Sequence, residues 1–205
     1  CDELFVLNED RVNAICDGII ERDLGLNIWA YARVNTVNPR LLAKLKRAGV
    51  NWLCYGFESA NEDVLADVRK KQKINQMKEA VRITKEAGIN VMGNFMFGLP
   101  LDSEATMQET LDFAKELMCE YVNFYCTMAY PGSKLYEESV MSGIPLPERW
   151  EDYGQYSPNA KPLPTKYLSY KEVITFRDKA FREYFTDECY LRMVEGKFGQ
   201  AVVEQ

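Results

Sequence analysis

The stretch N-W-L-C-Y-G-F-E-S-A, residues 51–60, decides the fold. Its apolar run predicts a strand that is buried on both faces, as strands of parallel sheets are. The run ends on Glu58 and Ser59, and no cation stands next to the carboxylate in the sequence. Because binding sites of parallel α/β folds lie at the carboxyl ends of strands, the pattern favours a site at Glu58. The alternative is that the strand simply ends there and Glu58 begins a solvated loop.

Strands and helices alternate on both sides of this stretch. The predicted strands are residues 27–33, 50–57, 90–98 and 121–128, and the predicted helices begin near Asn8, Asn38, Asn75 and Asp102 or Ser103. The interval of roughly thirty residues is that of a β-α unit, which predicts an α/β protein with a mainly parallel sheet. The spacing alone leaves two architectures open, a doubly wound sheet and a barrel.

The pattern changes in the last third of the chain. Residues 144–168 are rich in Pro and Tyr, which predicts an ordered loop or lid with little regular structure. Ser169-x-x-Glu172 is a capping box that opens a final helix. We therefore divide the chain into a core, residues 1–143, and a C-terminal loop and helical extension, residues 144–205.

Charge and hydropathy exclude several classes of function. The chain has 205 residues, a net charge of −6 and a pI near 5.0, which disfavours a nucleic-acid-coating surface. The basic cluster R-K-K-Q-K, residues 69–73, is interpreted as a solvated loop face, with phosphate or RNA binding as the minority reading. The absence of a membrane-spanning apolar run and of a signal peptide predicts a cytoplasmic protein.

The residue types available for chemistry are restricted. The sequence contains no histidine, and its six cysteines form no C-x-x-C or C-x-x-x-C-x-x-C cluster. The pattern predicts no metal site made by this chain and no individual catalytic side chain. Cys16 and Cys54 are interpreted as small core residues. Any chemistry must rely on carboxylates, Arg, Lys, Tyr or a bound cofactor.

Charged or turn-forming residues follow nearly every predicted strand. They are Asp2-Glu3, Arg33, Glu58-Ser59, Gly98 and Tyr130. In an α/β barrel these positions share one rim, so two or three carboxylates and an arginine converge. An amino-acid head group needs such partners, a carboxylate for its ammonium and a guanidinium for its carboxylate.

Several of these residues have a purely structural alternative. Arg33 can serve in an ion pair across the barrel, and Glu3 can belong to a frayed chain end. Ser59 can cap the loop that follows it. Gly93 and Gly98 either punctuate a strand or allow a flat ligand to approach the backbone.

Nine motifs in order resemble the radical S-adenosylmethionine (radical SAM) superfamily across about residues 1–140. They are D-E-L-F (2–5), A-R-V (32–34), L-L-x-x-L-x-x-A-G-V (41–50), Y-G-F-E-S (55–59), V-L-x-x-x-x-K (64–70), K-E-A-G-I (85–89), G-N-F-M-F-G-L-P (93–100), E-T-L-D-F-A (109–114) and Y-P-G-S-K-L-Y (130–136). The chain is most similar to the subgroup with an N-terminal cobalamin-binding domain.

The resemblance implies a partial (β/α)6 TIM-like barrel of parallel strands with a C-terminal helical extension. It implies that Glu58 and Ser59 contact the methionine or ribose part of S-adenosylmethionine, with Arg33 near the same ligand. The strand from Gly93 to Gly98 would pack along adenine, and Tyr130 would lie on the adenosyl or substrate side. The full set of cofactor-binding residues is predicted to be Glu3, Arg33, Glu58, Ser59, Gly93, Asn94, Gly98 and Tyr130.

The function implied by the resemblance is that of an iron-sulfur enzyme. A reduced 4Fe-4S cluster would cleave S-adenosylmethionine to a 5′-deoxyadenosyl radical, for radical modification or methylation of an unknown substrate. Cobalamin is a further candidate cofactor of the full-length protein. Two alternatives stay open: a non-redox binding or scaffold module, and an unrelated α/β barrel enzyme that uses Glu58 as a base.

The departures from the family pattern concern the cluster. The C-x-x-x-C-x-x-C motif is missing, so the cluster ligands are expected outside this chain. We expect either a fragment of a longer enzyme, inactive alone, or a degenerate member that never bound a cluster. Leu101 also stands where many relatives have glycine. A missing first strand would expose a sheet edge and favour dimerisation.

Overall fold

The computed structural model describes residues 4–203 and contains, within them, one four-stranded parallel sheet. Its strands are β1 (Ile28–Ala32), β2 (Val50–Glu58), β3 (Asn90–Phe97) and β4 (Tyr121–Cys126). They lie in the order β1-β2-β3-β4, and all neighbours are parallel. Right-handed crossovers in this order wind the chain in one direction, as in a barrel, whereas a doubly wound sheet reverses direction. The predicted α/β fold with a partial barrel is confirmed.

Local sequence signals set the helix boundaries. The helices are α1 (Glu9–Glu21), α2 (Pro39–Arg47), α3 (Glu62–Asp67), α4 (Ile74–Glu86), α5 (Glu104–Leu117), α6 (Lys134–Met141), α7 (Tyr170–Phe185), α8 (Glu188–Phe198) and α9 (Gln200–Val203), with a 3₁₀ turn at Trp150–Tyr153. Asn38 caps α2 by accepting from the backbone N–H of Leu41 at 2.9 Å. Ser103, and not Asp102, caps α5, and the predicted capping box at Ser169 opens α7.

The two faces of the sheet differ in composition. The face packed against the helices is apolar and buried, and it carries Tyr55, Phe57, Val91, Phe95, Phe97, Val122 and Phe124. The other face, which we call the open face, carries Tyr31, Cys54, Asn94, Asn123 and Tyr125. Side chains alternate between the faces because the strand period is two residues. Asn94 and Asn123 therefore fall on the open face, which also carries Trp29, Trp52, Met92 and Tyr121 near the amino ends of the strands.

Both outer strands have partners along their edges. On the β1 side, Val6 forms an isolated parallel bridge to Ala32, while the strand predicted at Asp2-Glu3 lies outside the described residues. On the β4 side, the amide of Gln155 accepts from Cys126 N at 2.8 Å and donates to Cys126 O at 3.0 Å. The loop of residues 154–163 thus covers part of the β4 edge.

The C-terminal helices pack on the sheet. Phe176 of α7 belongs to the main core cluster. Tyr184 donates its hydroxyl to Cys119 O at 2.7 Å, and Tyr190 of α8 donates to Glu120 O at 3.2 Å. These contacts tie α7 and α8 to the amino end of β4. The division of the chain at residue 143 stays a prediction.

The described part of the chain contains no candidate membrane-spanning helix. Across residues 4–203, no helix combines the length and the apolar character that crossing a bilayer requires.

Candidate functional site

A cleft of about 430 Å³ opens at the carboxyl ends of β1, β2 and β3. Its lining residues are Leu4, Tyr31, Ala32, Arg33, Gly56, Glu58, Lys70, Gln72 and Asn94. The volume lies within the range of about 300–1,000 Å³ that small-molecule sites occupy. Three predicted site residues, Arg33, Glu58 and Asn94, meet in this cleft.

A β-bulge places Glu58 in the cleft. The register between β2 and β3 shifts between Gly56 and Glu58, so that Phe57 is the extra residue of the bulge. Glu58 adopts a left-handed backbone with φ 66°, and Ser59 N donates to Phe57 O at 3.0 Å. A non-glycine residue in this region costs on the order of 1–3 kcal/mol. The bulge turns the strand end so that a carboxylate follows an otherwise apolar strand.

The cation that the sequence lacks beside Glu58 comes from Lys70. Its ammonium forms an ion pair with Glu58 Oε1 and donates to the carbonyl oxygen of Gly56 at 3.0 Å. Both side chains are about three-quarters buried, with 27% of Lys70 and 22% of Glu58 exposed. The interpretation of residues 69–73 as a solvated loop face is therefore wrong for Lys70.

Gln72 is the second residue of the basic cluster that turns inward. The residue is only 9% exposed, and its Nε2 donates to Gly56 O at 3.2 Å. Its Oε1 is buried and has no hydrogen-bond partner among the described residues. A buried carbonyl oxygen without a donor costs about 1–3 kcal/mol. Gln72, which lines the cleft, therefore carries one buried acceptor without a donor among the described residues.

Arg33 lies on the opposite side of the cleft, just beyond β1. Its backbone N–H donates to Thr36 Oγ1 at 3.1 Å, and its carbonyl oxygen accepts from the same hydroxyl at 2.9 Å. The residue is exposed, and no carboxylate within residues 4–203 pairs with its guanidinium. The structural ion pair considered for Arg33 is not formed in this part of the chain.

A row of polar side chains crosses the open face below the cleft. Asn123 Nδ2 donates to Asn94 Oδ1 at 2.9 Å, and Asn94 Nδ2 donates to Cys54 Sγ at 3.1 Å. Burial raises the pKa of the Cys54 thiol to about 11; the Asn94 hydrogen bond opposes this rise and the Glu58 charge adds to it. Cys54 is therefore a neutral thiol at pH 7, and its contact with Asn94 adds a polar role to the predicted core role.

The other predicted site residues lie outside the cleft lining. Ser59 is fully buried behind the bulge, where its hydroxyl lies 3.3 Å from Thr110 Oγ1. A Cβ on Gly93 would meet the Phe95 ring at 2.9 Å, and one on Gly98 would meet Val173 at 2.7 Å. Both glycines therefore face the helix side of the sheet.

Tyr130 and Glu3 complete the account of the predicted site. Tyr130 is 46% exposed at the end of β4, and its hydroxyl accepts from Gln155 Nε2 at 3.0 Å. Glu3 lies outside the described residues. Ligand contact by these residues, and by Ser59, Gly93 and Gly98, stays a prediction.

Sequence reasoning missed six residues of the cleft lining, which are Leu4, Tyr31, Ala32, Gly56, Lys70 and Gln72. Of these, Lys70 and Gln72 donate to the end of β2. A signal for Lys70 was present, because the motif V-L-x-x-x-x-K ends on it. Gln72 has no comparable signal, since a glutamine between two lysines is typical of a solvated loop.

The cysteines of the described part of the chain do not fit an iron-sulfur cluster. Cys16, Cys119 and Cys126 lie in the apolar core, Cys54 lies on the open face, and Cys189 is exposed. In residues 4–203 no three Cys, His, Asp or Glu side chains are grouped so as to hold a metal ion. No chemical step through a cluster follows from these residues.

Comparison with known proteins identifies the sequence family. The sequence pattern described as the Radical SAM superfamily matches residues 10–114. An uncharacterised methyltransferase of Pyrococcus horikoshii is 28% identical over 184 residues, which cover 90% of this chain and 39% of that relative. The bacteriochlorophyllide d C-8(2)-methyltransferase of Chlorobaculum tepidum is 26% identical, over 94% of this chain and 45% of that relative. The chain thus spans less than half of the length of either relative.

A solved structure has the same fold. The radical S-adenosylmethionine methyltransferase TsrM from Kitasatospora setae, solved with cobalamin and a 4Fe-4S cluster bound, matches with a TM-score of 0.57. The match covers 66% of this chain and 27% of TsrM, at 17% identity. At this identity the likeness concerns the fold alone.

Proposed function

This chain belongs to the radical SAM superfamily, and on that premise we propose that it forms the S-adenosylmethionine-binding part of a radical SAM enzyme. The observation that carries the proposal is the meeting of Glu58, Arg33 and Asn94 in one cleft at the carboxyl ends of the strands. A carboxylate suits the ammonium of the methionine moiety, and a guanidinium suits its carboxylate. When bound, S-adenosylmethionine supplies the methyl or deoxyadenosyl group for the reaction.

The residues around the cleft have distinct proposed roles. Glu58 and Arg33 bind the charged head group, and Asn94 offers an amide at the floor. Ser59 and Gly98 support the strand ends, because they are held against Thr110 of α5 and Val173 of α7 behind the cleft. Gly93 lets Phe57, Phe95 and Cys119 pack closely on β3. Tyr130 is the proposed contact on the substrate side, since its ring is half exposed at the end of β4.

The reaction that we propose for the whole enzyme is radical modification or methylation of a substrate still to be identified. Two relatives that cover nine-tenths or more of this chain are named as methyltransferases, which favours methyl transfer. The 4Fe-4S cluster and a cobalamin would be bound by parts of a longer protein, because the cysteines described above do not fit a cluster. The isolated chain is accordingly proposed to bind S-adenosylmethionine without cleaving it.

Two further expectations belong to the proposal. We place the protein in the cytoplasm, because buried Cys16, Cys54, Cys119 and Cys126 are free thiols, as in a reducing compartment. If the protein dimerises through a sheet edge, the β1 side is favoured, because residues 154–163 cover part of the β4 edge.

Saturable binding of S-adenosylmethionine to this chain tests the proposal. Calorimetric titration of the wild type and of Arg33→Met compares the intact cleft with one that lacks the guanidinium. We expect Arg33→Met to weaken binding at least about tenfold, because a charge-assisted contact is lost. The matched control is Arg40→Met, which removes an arginine from the surface, where 86% of its side chain is exposed. Equal affinity in the wild type and Arg33→Met would remove Arg33 from the site.

The competing function is a non-redox binding module. It is favoured by the missing C-x-x-x-C-x-x-C motif in this sequence. The two functions differ in the longer protein: after anaerobic iron-sulfur reconstitution, the enzyme forms 5′-deoxyadenosine or S-adenosylhomocysteine, and the module forms neither product.

A further inference from the structure

The edge of β4 is closed at Cys126 by a side chain instead of a neighbouring strand. On an edge strand, every second residue directs its N–H and C=O groups away from the sheet. At Cys126 one side chain binds both groups, because Gln155 Oε1 accepts from Cys126 N at 2.8 Å and Gln155 Nε2 donates to Cys126 O at 3.0 Å. The Gln155 amide therefore takes the place of the peptide group that a further strand would supply.

This pairing fixes the orientation of the Gln155 amide. A glutamine amide has one acceptor oxygen and one NH₂ group with two donors. Since Cys126 N can only donate and Cys126 O can only accept, the amide oxygen must face the first and the NH₂ group the second. The same NH₂ group also donates to the hydroxyl of Tyr130 at 3.0 Å. Turning the amide over would break both backbone hydrogen bonds, so the backbone of β4 decides which group Tyr130 meets.

Both partners in the Gln155–Tyr130 hydrogen bond start from anchored backbone. Arg177 of α7, which is only 5% exposed, donates from Nη1 to Gln155 O at 2.7 Å and from Nε to Asp178 Oδ1 at 2.7 Å. The carbonyl oxygen of Tyr130 accepts from Ser133 N at 3.1 Å and from Ser133 Oγ at 2.7 Å. The geometry between the two side chains is therefore set from α7 and from the turn after β4.

The hydrogen bond from Gln155 leaves the Tyr130 proton for an outside partner. In the plane of its ring, a phenol hydroxyl offers one donor and one acceptor position. Within residues 4–203, Gln155 Nε2 is the hydrogen-bond partner of this hydroxyl, and an N–H group cannot accept. Tyr130 is 46% exposed, and its ring packs on Tyr153 with centroids 6.4 Å apart. The hydroxyl therefore offers a donor to a molecule at the end of β4.

We propose that Gln155 is a positioning residue that makes Tyr130 a hydrogen-bond donor toward the substrate, and thereby selects a substrate with an acceptor atom at this point. Carbonyl oxygens, carboxylates and unprotonated ring nitrogens are such acceptors. A group that can only donate would face the Tyr130 proton, and both hydrogen bonds would be lost. The inference rests on the proposed function in one respect, the placement of Tyr130 on the substrate side. It adds the chemistry of the substrate group that lies there, and no covalent bond changes.

Two substitutions separate this role from a merely structural one. Gln155→Glu keeps the shape of the side chain and the acceptor for Cys126 N, but its carboxylate cannot donate. The Tyr130 hydroxyl is then expected to donate to the carboxylate and to present its oxygen to the substrate, which inverts its role. Gln155→Met removes the amide and leaves the hydroxyl free to donate or to accept. If Gln155 only held the loop of residues 154–163, both variants would loosen the loop and neither would invert the role of Tyr130.

Resonance Raman spectroscopy tests the inversion without a ligand. The difference spectrum of each protein minus its own Tyr130→Phe form isolates the Fermi doublet of Tyr130, whose intensity ratio separates an accepting phenol oxygen from one that only donates. We expect the accepting ratio in the wild type and the donating ratio in Gln155→Glu. The matched control is Gln76→Glu, which adds the same charge at an exposed glutamine of α4 and should keep the wild-type ratio. The same ratio in the wild type and in Gln155→Glu would overturn the inference.

Two neutral aromatic probes test the selection. At pH 8, pyridine carries only an acceptor and pyrrole only a donor, and nuclear magnetic resonance of ¹³C-labelled tyrosine follows the Tyr130 ring during titration of each. We expect the wild type to bind pyridine about three- to tenfold more tightly than pyrrole at Tyr130. Gln155→Glu should reverse this preference and Gln155→Met should abolish it. Urea midpoints report whether each variant folds, and the Gln155→Met result decides the question if Gln155→Glu does not.

The results distinguish this inference from the proposed function. An equal preference in the wild type and both variants, or a Tyr130 signal that neither probe moves in the wild type, would overturn the role of Gln155. If the preference reverses while S-adenosylmethionine fails to bind in the titration described above, the role of Gln155 stands and the proposed function falls. If S-adenosylmethionine binds and the preference does not reverse, the proposed function stands and the role of Gln155 falls.

Discussion

Two glutamates at opposite ends of the sheet show how different surroundings give one side chain different roles. Glu58 stands at the carboxyl end of β2, on a bulge with a left-handed backbone, beside an acceptor without a donor. Glu120 stands just before β4 at the amino end, with only 1% of its side chain exposed. In barrel folds the carboxyl end of the strands carries function and the amino end carries stability. The two sites follow this division.

Glu120 has all of its partners within the protein. Its Oε2 accepts from Val91 N at 2.7 Å, and its Oε1 accepts from Lys197 Nζ at 2.5 Å, with Lys85 Nζ at 3.9 Å. The network joins β3, β4 and α8. A buried carboxylate with this many partners has no free capacity for a ligand, so its conformation is fixed by the fold.

The largest effect is expected from breaking the Glu120 network. Glu120→Ala leaves the buried Val91 N–H without an acceptor and the Lys197 ammonium with Asn90 Oδ1 at 3.1 Å, and we expect a loss of about 1–3 kcal/mol in the free energy of unfolding. Urea denaturation followed by circular dichroism measures it. Glu120→Gln keeps an acceptor and should lose less. If both variants unfold at the wild-type urea concentration, the amino end does not carry the stability assigned to it.

A smaller effect on the free energy of unfolding is expected at alkaline pH, where the buried thiols begin to lose their protons. Burial raises the pKa of Cys119 to about 12 and of Cys126 to about 11, from the ordinary thiol value of 9.0. The unfolded chain therefore loses its thiol protons first. The stability contributed by these groups is complete below pH 9 and falls as the pH rises from 9 through about 11–12.

Urea midpoints at pH 8, 9 and 10 check this pH dependence. Cys126→Ala should show a shallower decline between pH 9 and 10 than the wild type, because one of the perturbed thiols is absent. A steeper decline of the urea midpoint in the variant than in the wild type would mean that the buried thiols are not the source of the pH dependence.

The smallest effect on stability is expected at the strained glutamate. Glu58→Gly removes the left-handed strain but also the ion pair to Lys70, so the free energy of unfolding should change by no more than about 1 kcal/mol in either direction. Binding of S-adenosylmethionine should nevertheless be lost. At Glu58 we therefore expect a large effect on binding and a small effect on stability, whereas at Glu120 we expect a large effect on stability and a small effect on binding. A Glu58→Gly variant that binds S-adenosylmethionine like the wild type would contradict the assignment of Glu58 to ligand binding.

The sequence predicts the fold well because its signals are local. Asn38, Ser103 and Ser169 cap helices through their own side chains. The apolar residues of β2 and β3 pack one face of the sheet against the helices, whereas open-face residues such as Trp52, Gly56 and Asn94 are only partly buried, so the prediction of burial on both faces is wrong. The relative order of strands follows from the β-α spacing together with crossover handedness.

The site is predicted only in part, because its details depend on backbone turns and long-range contacts. Glu58 and Arg33 are predicted because strand ends converge, whereas Asn94 is predicted only through the family resemblance. The return of Lys70 to Glu58 follows a Schellman turn at Arg69, a residue type that gives little sign of a left-handed conformation. An added Cβ on Gly93 or Gly98 would meet Phe95 or Val173, and the choice between strand punctuation and ligand approach at these two glycines stays open.

The most direct test of the central claim compares the two glutamates in one assay. Calorimetric titration of S-adenosylmethionine into the wild type, Glu58→Gln and Glu120→Gln measures affinity at conditions where all three are folded. The account predicts that Glu58→Gln weakens binding at least about tenfold and that Glu120→Gln leaves it within about twofold. Equal affinity of the wild type and Glu58→Gln, or a comparable loss in both variants, would contradict it.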